Sequence, residues 1–436
     1  MSIGNLKDYG NKGNNFPWQL KMLQGLDTIN SSIITGNITN ANSMAIDAFG
    51  RQRVSNPLTL FDSSHRYKDN GLWNTSTASG GTAVFSPNEG LVNLNVDTTN
   101  GSQVLRETTK VFSYQPGKSL LVLNTFVMAP AQSNLRQRVG YFGTDNGIYI
   151  QLNNNTLSFV ERSLVTGLVT ETVVNQSAWN VDSLDGTGPS GVVLDITKAQ
   201  IMFMDIEWLG EGTVRVGFII DGVFLLCHKF NHANYIVSTY ITTASLPLRY
   251  EITNTGVTAN SSTLKQVCST VISEGGYELR GAQQAVGTPI TSPTSLAVAG
   301  TYYPVVSIKL RAGYQDAVVI LTALSIMGVA TGIYNWKVVA SGTTTGGAWV
   351  PAGVNSSVEY NITGTSFAGG RTLASGFLTS STQSSVNLDI LKEALFSFQL
   401  ERNSFTSTPY ELTLVVSAST NTELIYSSMD WEEISR

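Results

Sequence analysis

Charge is the property this sequence has least of. Only 13% of its 436 residues are Asp, Glu, Lys or Arg, about half the share usual in soluble proteins. The 26 Lys and Arg are outnumbered by 31 Asp and Glu, for a formal net charge of −5. No basic block is present to neutralise a phosphate backbone, which argues against nucleic-acid binding. Three histidines, His65, His228 and His232, leave few members for a catalytic triad or a multi-histidine metal site. Two cysteines, Cys227 and Cys268, lie far apart in sequence, so no disulfide framework or zinc knuckle can be read and both are expected as buried free thiols. No apolar run approaches the roughly 20 residues of a membrane helix. Residues 1–10 lack the basic and apolar regions of a signal peptide, so a soluble protein made in the cytoplasm without that export route is expected. No Gly-rich loop with its Lys could cradle a phosphate, and no cofactor is expected.

What is abundant is Gly, with 40 residues, together with Ser, Thr and Asn, while the helix formers Lys and Glu are scarce. That balance favours strands and turns. The length suffices for two domains that each bury a full core.

Residues 1–45 differ from the rest. After an Asn/Gly-rich start, Phe16-Pro17-Trp18 leads into Leu20, Leu23, Leu26 and Ile29 at a spacing of three. Pro17 suits the first turn of a helix, where its missing N–H would be unpaired anyway. The spacing predicts one short amphipathic helix over residues 17–30. A helix of this length needs tertiary packing of its apolar face. It either packs on its own domain or anchors on another protein, and the Ser/Thr/Asn/Gly stretch at 28–43 reads as a tether that favours the anchor.

From residue 46 short apolar runs alternate with turn residues. Residues 118–128 read as a buried strand, and 145–162 carry hairpin punctuation. Residues 201–230 read as a three-stranded antiparallel meander, with Asp221-Gly222 as the hairpin turn. Residues 281–300, rich in Gln, Thr, Ser, Pro and Ala, read as a linker. Strands are then expected at 305–310, 317–327, 334–339, 356–361, 396–401 and 411–417, with a short helix at 388–395. The expected fold is all-β: an N-terminal arm with one short helix (1–45), a first β-sandwich (46–280), the linker, and a second β-sandwich (301–436), each sandwich jelly-roll or lectin-like.

Candidate chemistry is thin. Asp205 and Glu207 alternate on one strand and so face the same side, an arrangement some retaining glycosidases use to hold two carboxylates about 5 Å apart. The lectin-like glucanase pattern has a further carboxylate two residues earlier, where this chain has Phe203. The alternative is that both acids face solvent, with Met204, Ile206 and Trp208 inward. His228 and His232 would spread roughly 13 Å along a strand, too far for one metal. The tryptophans at 73, 179, 208, 336, 349 and 431 lie in or beside strands, where core or interface roles dominate, though sugar stacking stays open.

Several segments, Phe49-Gly50-Arg51-Gln52-Arg53-Val54-Ser55-Asn56-Pro57, Leu60-Phe61-Asp62-Ser63, Tyr114-Gln115-Pro116-Gly117-Lys118-Ser119, Glu207-Trp208-Leu209-Gly210 and Leu246-Pro247-Leu248-Arg249-Tyr250-Glu251-Ile252, resemble a group of virion structural proteins of tailed bacteriophages, frequent in phages of marine cyanobacteria. The stretch from Tyr9 to Leu20 is similar to a short N-terminal module on otherwise different proteins of those phages. The resemblance implies a non-enzymatic particle component that attaches to a tail, baseplate or capsid partner through Phe16, Pro17, Trp18, Leu20, Leu23 and Leu26. It also implies residence in the virion, other virion proteins as partners, and Arg51 and Arg53 as candidates for inter-subunit ion pairs. Low charge suggests a homo-oligomer, with a trimer as one candidate. The other reading is a fibre or spike component that binds a receptor or host glycan. Deleting residues 1–43 is expected to leave a folded β protein that no longer co-sediments with particles, and normal incorporation of the truncated chain would refute the anchoring role.

Overall fold

Strand periodicity carries through the chain because β-branched and aromatic residues alternate with small polar ones, while Gly, Asn and Asp punctuate the runs. The computed structural model describes residues 56–114, 117–275, 281–330, 332–379, 384–385 and 399–435. The residues expected to anchor the chain, Phe16, Pro17, Trp18, Leu20, Leu23 and Leu26, the candidate ion-pair residues Arg51 and Arg53, and the helices expected at 17–30 and 388–395 lie outside the described residues. The fold is all-β as expected, and among the described residues the only helical element is a 3-10 turn at Gln176–Ala178.

The first sandwich is built from β1 (Leu58–Ser64), β2 (Trp73–Ala78), β3 (Thr82–Ser86), β4 (Leu91–Val96), β5 (Gln103–Thr108), β6 (Leu120–Val127), β7 (Leu135–Phe142), β8 (Gly147–Asn153), β9 (Thr156–Ser163), β10 (Thr170–Asn175), β11 (Gln200–Ile206), β12 (Val214–Ile220), β13 (Val223–Phe230), β14 (Leu248–Asn254) and β15 (Ser262–Ser273). Two antiparallel sheets result. One has eight strands in the order β13-β12-β11-β6-β15-β4-β3 with β1 paired to β15; the other has seven, in the order β10-β9-β8-β7-β14-β5-β2. Alternation decides which side chains enter the core. In β6, Leu120, Val122, Asn124 and Phe126 are buried while Leu121, Leu123, Thr125 and Val127 are half-buried on the outer face. Val122 and Phe126 share one core with Val139, Ile150, Phe218 and Tyr250. Each such aliphatic or aromatic burial stabilises by about 1.5–3 kcal/mol. The meander of β11, β12 and β13 forms as expected, turned by Asp221 and Gly222 with φ of 50° and 77°.

The second sandwich comprises β16 (Ala282–Gly287), β17 (Thr294–Leu296), β18 (Tyr303–Leu310), β19 (Val318–Gly328), β20 (Ile333–Thr345), β21 (Val350–Pro351), β22 (Val358–Asn361), β23 (Ser366–Thr379), β24 (Ser384–Ser385), β25 (Glu411–Ala418) and β26 (Glu423–Ser435). Its sheets run β16-β26-β19-β24, with β17 also on β26, and β21-β22-β18-β25-β20-β23. Residues 281–300, read as a linker, therefore belong to this sandwich: β16 pairs with β26 from Ala282↔Glu433 to Gly287↔Ser428. The reason is positional. An edge strand has one paired neighbour and alternates half-buried with exposed residues, so Ala-Gln-Gln-Ala-Val-Gly carries no apolar stripe to betray it. Of the strand expected at 396–401, Gln399 makes an isolated bridge to Ile320.

From Pro57 to Arg436 the chain packs as one compact unit. The two sandwiches meet through polar contacts. Lys110 Nζ pairs with Glu401 at 2.9 Å, Ser404 Oγ donates to the Thr108 carbonyl at 2.5 Å, and Tyr410 OH donates to the Thr109 carbonyl at 3.3 Å. Behind this contact, the buried Tyr141 hydroxyl bonds the carbonyls of Phe112, at 2.6 Å, and Ala244, while accepting from the Leu246 N–H at 3.1 Å. Tyr141→Phe strands those backbone groups and is expected to destabilise by about 1–3 kcal/mol, read as a lower urea midpoint at unchanged m-value.

Candidate binding groove on the seven-stranded sheet

Period-two alternation gives β14 two different faces. Leu248, Tyr250 and Ile252 enter the core, so Arg249, Glu251 and Thr253 must stand on the outside of the sheet. Strand register then aligns the outward residues into rows. One row runs Glu251, Arg138, Gln151, Ser158, Asn175 across β14, β7, β8, β9 and β10. The next runs Glu107, Arg249, Gly140, Tyr149, Val160, Val173, and a third Phe142, Gly147, Arg162, Glu171.

The two glycines in these rows make room for aromatics. A Cβ at Gly140 would lie 2.6 Å from Tyr149 Cβ, and one at Gly147, whose φ is +139°, would lie 2.3 Å from Phe142 Cβ. Phe142 and Tyr149 consequently pack at 4.4 Å between ring centroids, with Val160 completing a small apolar cluster on the outer face. Guanidinium groups roof it: Arg138 and Arg162 lie 5.2 and 5.6 Å from the Tyr149 ring, and Arg249 lies 5.1 Å from Phe142.

Carboxylates hold the arginines in place. Glu171 accepts from Tyr149 OH at 2.7 Å and from Arg162 Nη2 at 2.6 Å and Nε at 3.0 Å. Burial works to raise its pKa, but these hydrogen bonds and the adjacent guanidiniums outweigh burial and hold the carboxyl below its ordinary value. Arg138 donates from Nε to Gln151 Oε1 at 3.0 Å and stands 3.9 Å from Glu251 and 3.8 Å from Glu171. Arg136 pairs with Glu251 at 3.0 Å. Further along, Arg249 Nε donates to the fully buried Glu107 at 2.7 Å, and burial raises that carboxyl despite the pairing. Above this network opens a groove of about 410 Å3. Arg138, Gln151 and Ser158 form its floor, with Arg136, Asn153 and Glu171 at the rim.

The acids singled out from sequence lie elsewhere. Asp205, on β11 in the eight-stranded sheet, is paired across the strands with Arg215, and burial raises its carboxyl. Glu207 follows the strand and is exposed, while Met204 and Ile206 are buried and Trp208 half-buried, the solvent-face alternative. Both acids line a separate hollow of about 600 Å3 with Tyr114, Lys118 and Lys229. Trp73, Trp179, Trp336 and Trp431 are core residues, Trp208 and Trp349 are half-buried, and none of these six lines the groove. Cys227 is buried, which pushes its thiol up to about 12, and Cys268 is half-buried; both are free. Among the described residues no group of three His, Cys, Asp or Glu side chains could hold a metal ion.

The histidines are structural. His228 Nδ1 accepts the Asn180 N–H at 3.3 Å and the ring meets Phe230 edge-on. His232 stacks on Tyr240 at 3.9 Å, with Nε2 2.7 Å from Glu161 and Nδ1 2.5 Å from the Gly212 carbonyl. The Glu161 carboxylate and the Gly212 carbonyl both favour the protonated form of the ring. Burial lowers its pKa, but Glu161 outweighs burial and the net shift is upward. His65 is buried without a hydrogen-bond partner on either ring nitrogen, and burial followed by Arg106 lowers it to about 4.

No protein-family model and no curated protein matches the chain. Similar solved structures include a Bacillus licheniformis beta-glucanase, at 12% identity over 48% of this chain and 96% of that one, with a TM-score of 0.33. The Emp47p carbohydrate recognition domain is 12% identical over 50% of this chain and 96% of its own, with a TM-score of 0.31. A legume lectin-like domain from Entamoeba histolytica is 9% identical over 51% of this chain and 99% of its own, with a TM-score of 0.30.

The two unlike histidines set opposite pH trends. His232, raised above its unfolded value of 6.5, contributes stability below that pH and loses it as pH rises through the folded value. His65, lowered to about 4, contributes above 6.5 and loses its contribution as pH falls toward 4. The difference in Tm between the wild type and His232→Gln is expected to shrink from pH 6 to pH 9, while His65→Gln is expected to lessen the loss of Tm between pH 6.5 and 4. Both are read by thermal denaturation.

Proposed function

We propose that the protein is a non-enzymatic glycan-binding appendage whose groove on the seven-stranded sheet takes a neutral saccharide. The observation that carries this reading is the floor formed by Arg138 and Gln151 on the paired strands β7 and β8, held between Glu251 of β14 and Glu171 of β10. Guanidinium, amide and carboxylate groups are planar and bidentate, and together they offer donors and acceptors to vicinal hydroxyls. Arg136, Arg138 and Arg162 outnumber Glu171 and Glu251 by one, but each guanidinium is paired with one of those carboxylates, so none stands free to draw a phosphate or sulfate. Hydrolysis by a carboxylate pair requires an acid with a raised pKa. Glu171 is shifted the other way and already accepts three hydrogen bonds, which supports binding without turnover.

A second reading, a structural component of a tailed-phage particle, is compatible with the first. What supports it is that the segments carrying the resemblance are scaffold: Phe61 of β1 packs on Phe112 at 4.9 Å, Phe112 bridges to Leu246, and residues 248–252 lie within β14, an interior strand of its sheet. Attachment would fall to Phe16, Pro17, Trp18, Leu20, Leu23 and Leu26, and virion proteins would be the partners. The exposed Ile201 and Phe224, either side of Ile219 in one row on the eight-stranded sheet, favour the homo-oligomer.

A glycan array probed with the full chain tests the groove. The double variant Gln151→Ala, Asn153→Ala is expected to lose about tenfold or more in affinity while staying folded, with only a modest fall in unfolding midpoint from the lost Arg138–Gln151 hydrogen bond. A wild-type chain that binds no glycan, or a double variant that binds as well as wild type, overturns the reading, and release of reducing ends from a β-glucan overturns its non-enzymatic part.

A further inference from the structure

A second opening lies where the sandwiches meet. Its volume is about 730 Å3, within the roughly 300–1,000 Å3 usual for ligand pockets, which favour domain interfaces. The first sandwich contributes Tyr114, Trp208 and the loop from Thr242 to Ser245; the second contributes the turn from Gly313 to Ala317, with Arg402 and Ser407. This cleft is separate from the groove and from the hydrogen bonds of Lys110, Ser404 and Tyr410 that join the sandwiches.

The lining specifies a class of ligand. Tyr114 and Trp208 meet edge-to-face at 5.9 Å, and Tyr314, half-buried with the Arg311 guanidinium 5.2 Å from its ring, stands on the opposite wall. Aromatic side chains contributed by both sandwiches suit flat apolar surfaces such as the C–H faces of sugar rings. Arg402 donates to Asp316 from Nε at 3.1 Å and from Nη2 at 3.0 Å, so its charge is matched within the cleft. The same Arg402 reaches the Ser245 carbonyl at 3.4 Å, crossing from one sandwich to the other. Gln315, Thr242, Thr243 and Ser407 add amide and hydroxyl groups to the rim. Phosphate or sulfate would need a cationic surplus, and a lipid would need an apolar lining; the cleft has neither.

Its position on the first sandwich is fixed by a buried side chain. Asn146 Nδ2 donates to Thr242 Oγ1 at 2.7 Å, and its Oδ1 accepts from the N–H groups of Thr242 at 3.0 Å and Leu164 at 3.2 Å. Arg162 of the groove reaches the same β7–β8 turn through the Thr144 carbonyl at 3.1 Å. The cleft wall and the outer rows of the groove thus share one turn.

We infer that the cleft between the sandwiches is a second saccharide site, independent of the groove, in which Trp208 and Tyr314 supply the platforms and Arg402, Asp316 and Gln315 the polar contacts. The test uses the full chain on matched arrays of neutral and sulfated oligosaccharides. Its variants are the groove double variant, Thr243→Trp to fill the cleft, and Gln315→Ala to remove one polar contact without filling it. The expected result is that the groove variant loses its roughly tenfold share yet keeps a residual neutral-glycan binding, and that this residual binding, measured in the groove-variant background, falls about a further tenfold with Thr243→Trp and severalfold with Gln315→Ala. Should Thr243→Trp fail to fold, Gln315→Ala decides. Binding lost in the groove variant and unmoved by Gln315→Ala overturns the cleft while sparing the groove; binding unmoved by the groove variant and lost in the cleft variants does the reverse. A preference for the sulfated array, or no binding on either, overturns the assignment.

Discussion

A strand has two faces and no third, and β14 commits both. Inward, Tyr250 is fully buried and its hydroxyl shares a hydrogen with Ser269 Oγ of β15 at 2.8 Å, tying one sheet to the other across the core. Outward, Arg249 and Glu251 begin the rows from which the groove is built. Because the period is two, a slip of one residue would exchange these sets, placing a guanidinium in the core and a tyrosine in the groove. The core and the groove are therefore specified by the same register, and neither can be altered at β14 without the other.

Scarcity of charge takes on a structural sense once the charges are located. Arg136, Arg138, Arg162 and Arg249 share one sheet face with Glu107, Glu171 and Glu251, and the four guanidiniums divide the three carboxylates among them, Arg138 lying between two. From the core outward, the buried Arg106 forms a two-pronged contact with the exposed Asp69, 2.9 Å on each side, and donates to the buried Gln266 at 2.7 Å. Desolvation takes back much of what such pairs gain by Coulomb attraction. Their return lies in geometry, since a guanidinium such as that of Arg138, clamped between carboxylates on two strands of one sheet, has few orientations left.

Legibility in the sequence followed the strength of local punctuation. The meander of β11 to β13 was readable because Asp221-Gly222 takes left-handed backbone between apolar runs. Edge strands were not: β16, and β23 with its Gly-Gly pair and mostly exposed side chains, carry no apolar stripe to mark them. The groove residues left a trace, since Tyr149, Gln151 and Asn153 alternate with Ile148, Ile150 and Leu152. What the trace lacked was the neighbour. Arg138 becomes a groove residue only when β7 lies between β14 and β8, a pairing of segments more than a hundred residues apart. Asp205 and Glu207 show the converse: two carboxylates adjacent on one strand were easy to notice, yet the sheet that holds them assigns one to a cross-strand ion pair and the other to solvent.

The pairing of β16 with β26 reaches beyond the sandwich that contains it. Because that strand starts at Ala282, only residues 274–281 separate the last strand of the first sandwich from the first strand of the second. A tether of twenty Gly, Ser and Thr residues would let two modules sample a wide sphere of separations, and binding at one would concentrate the other only weakly. A short crossing braced by polar contacts acts as a ruler instead. Surfaces on the two sandwiches are presented at one fixed spacing, so a repetitive ligand that touched both would be selected by its period as well as its chemistry.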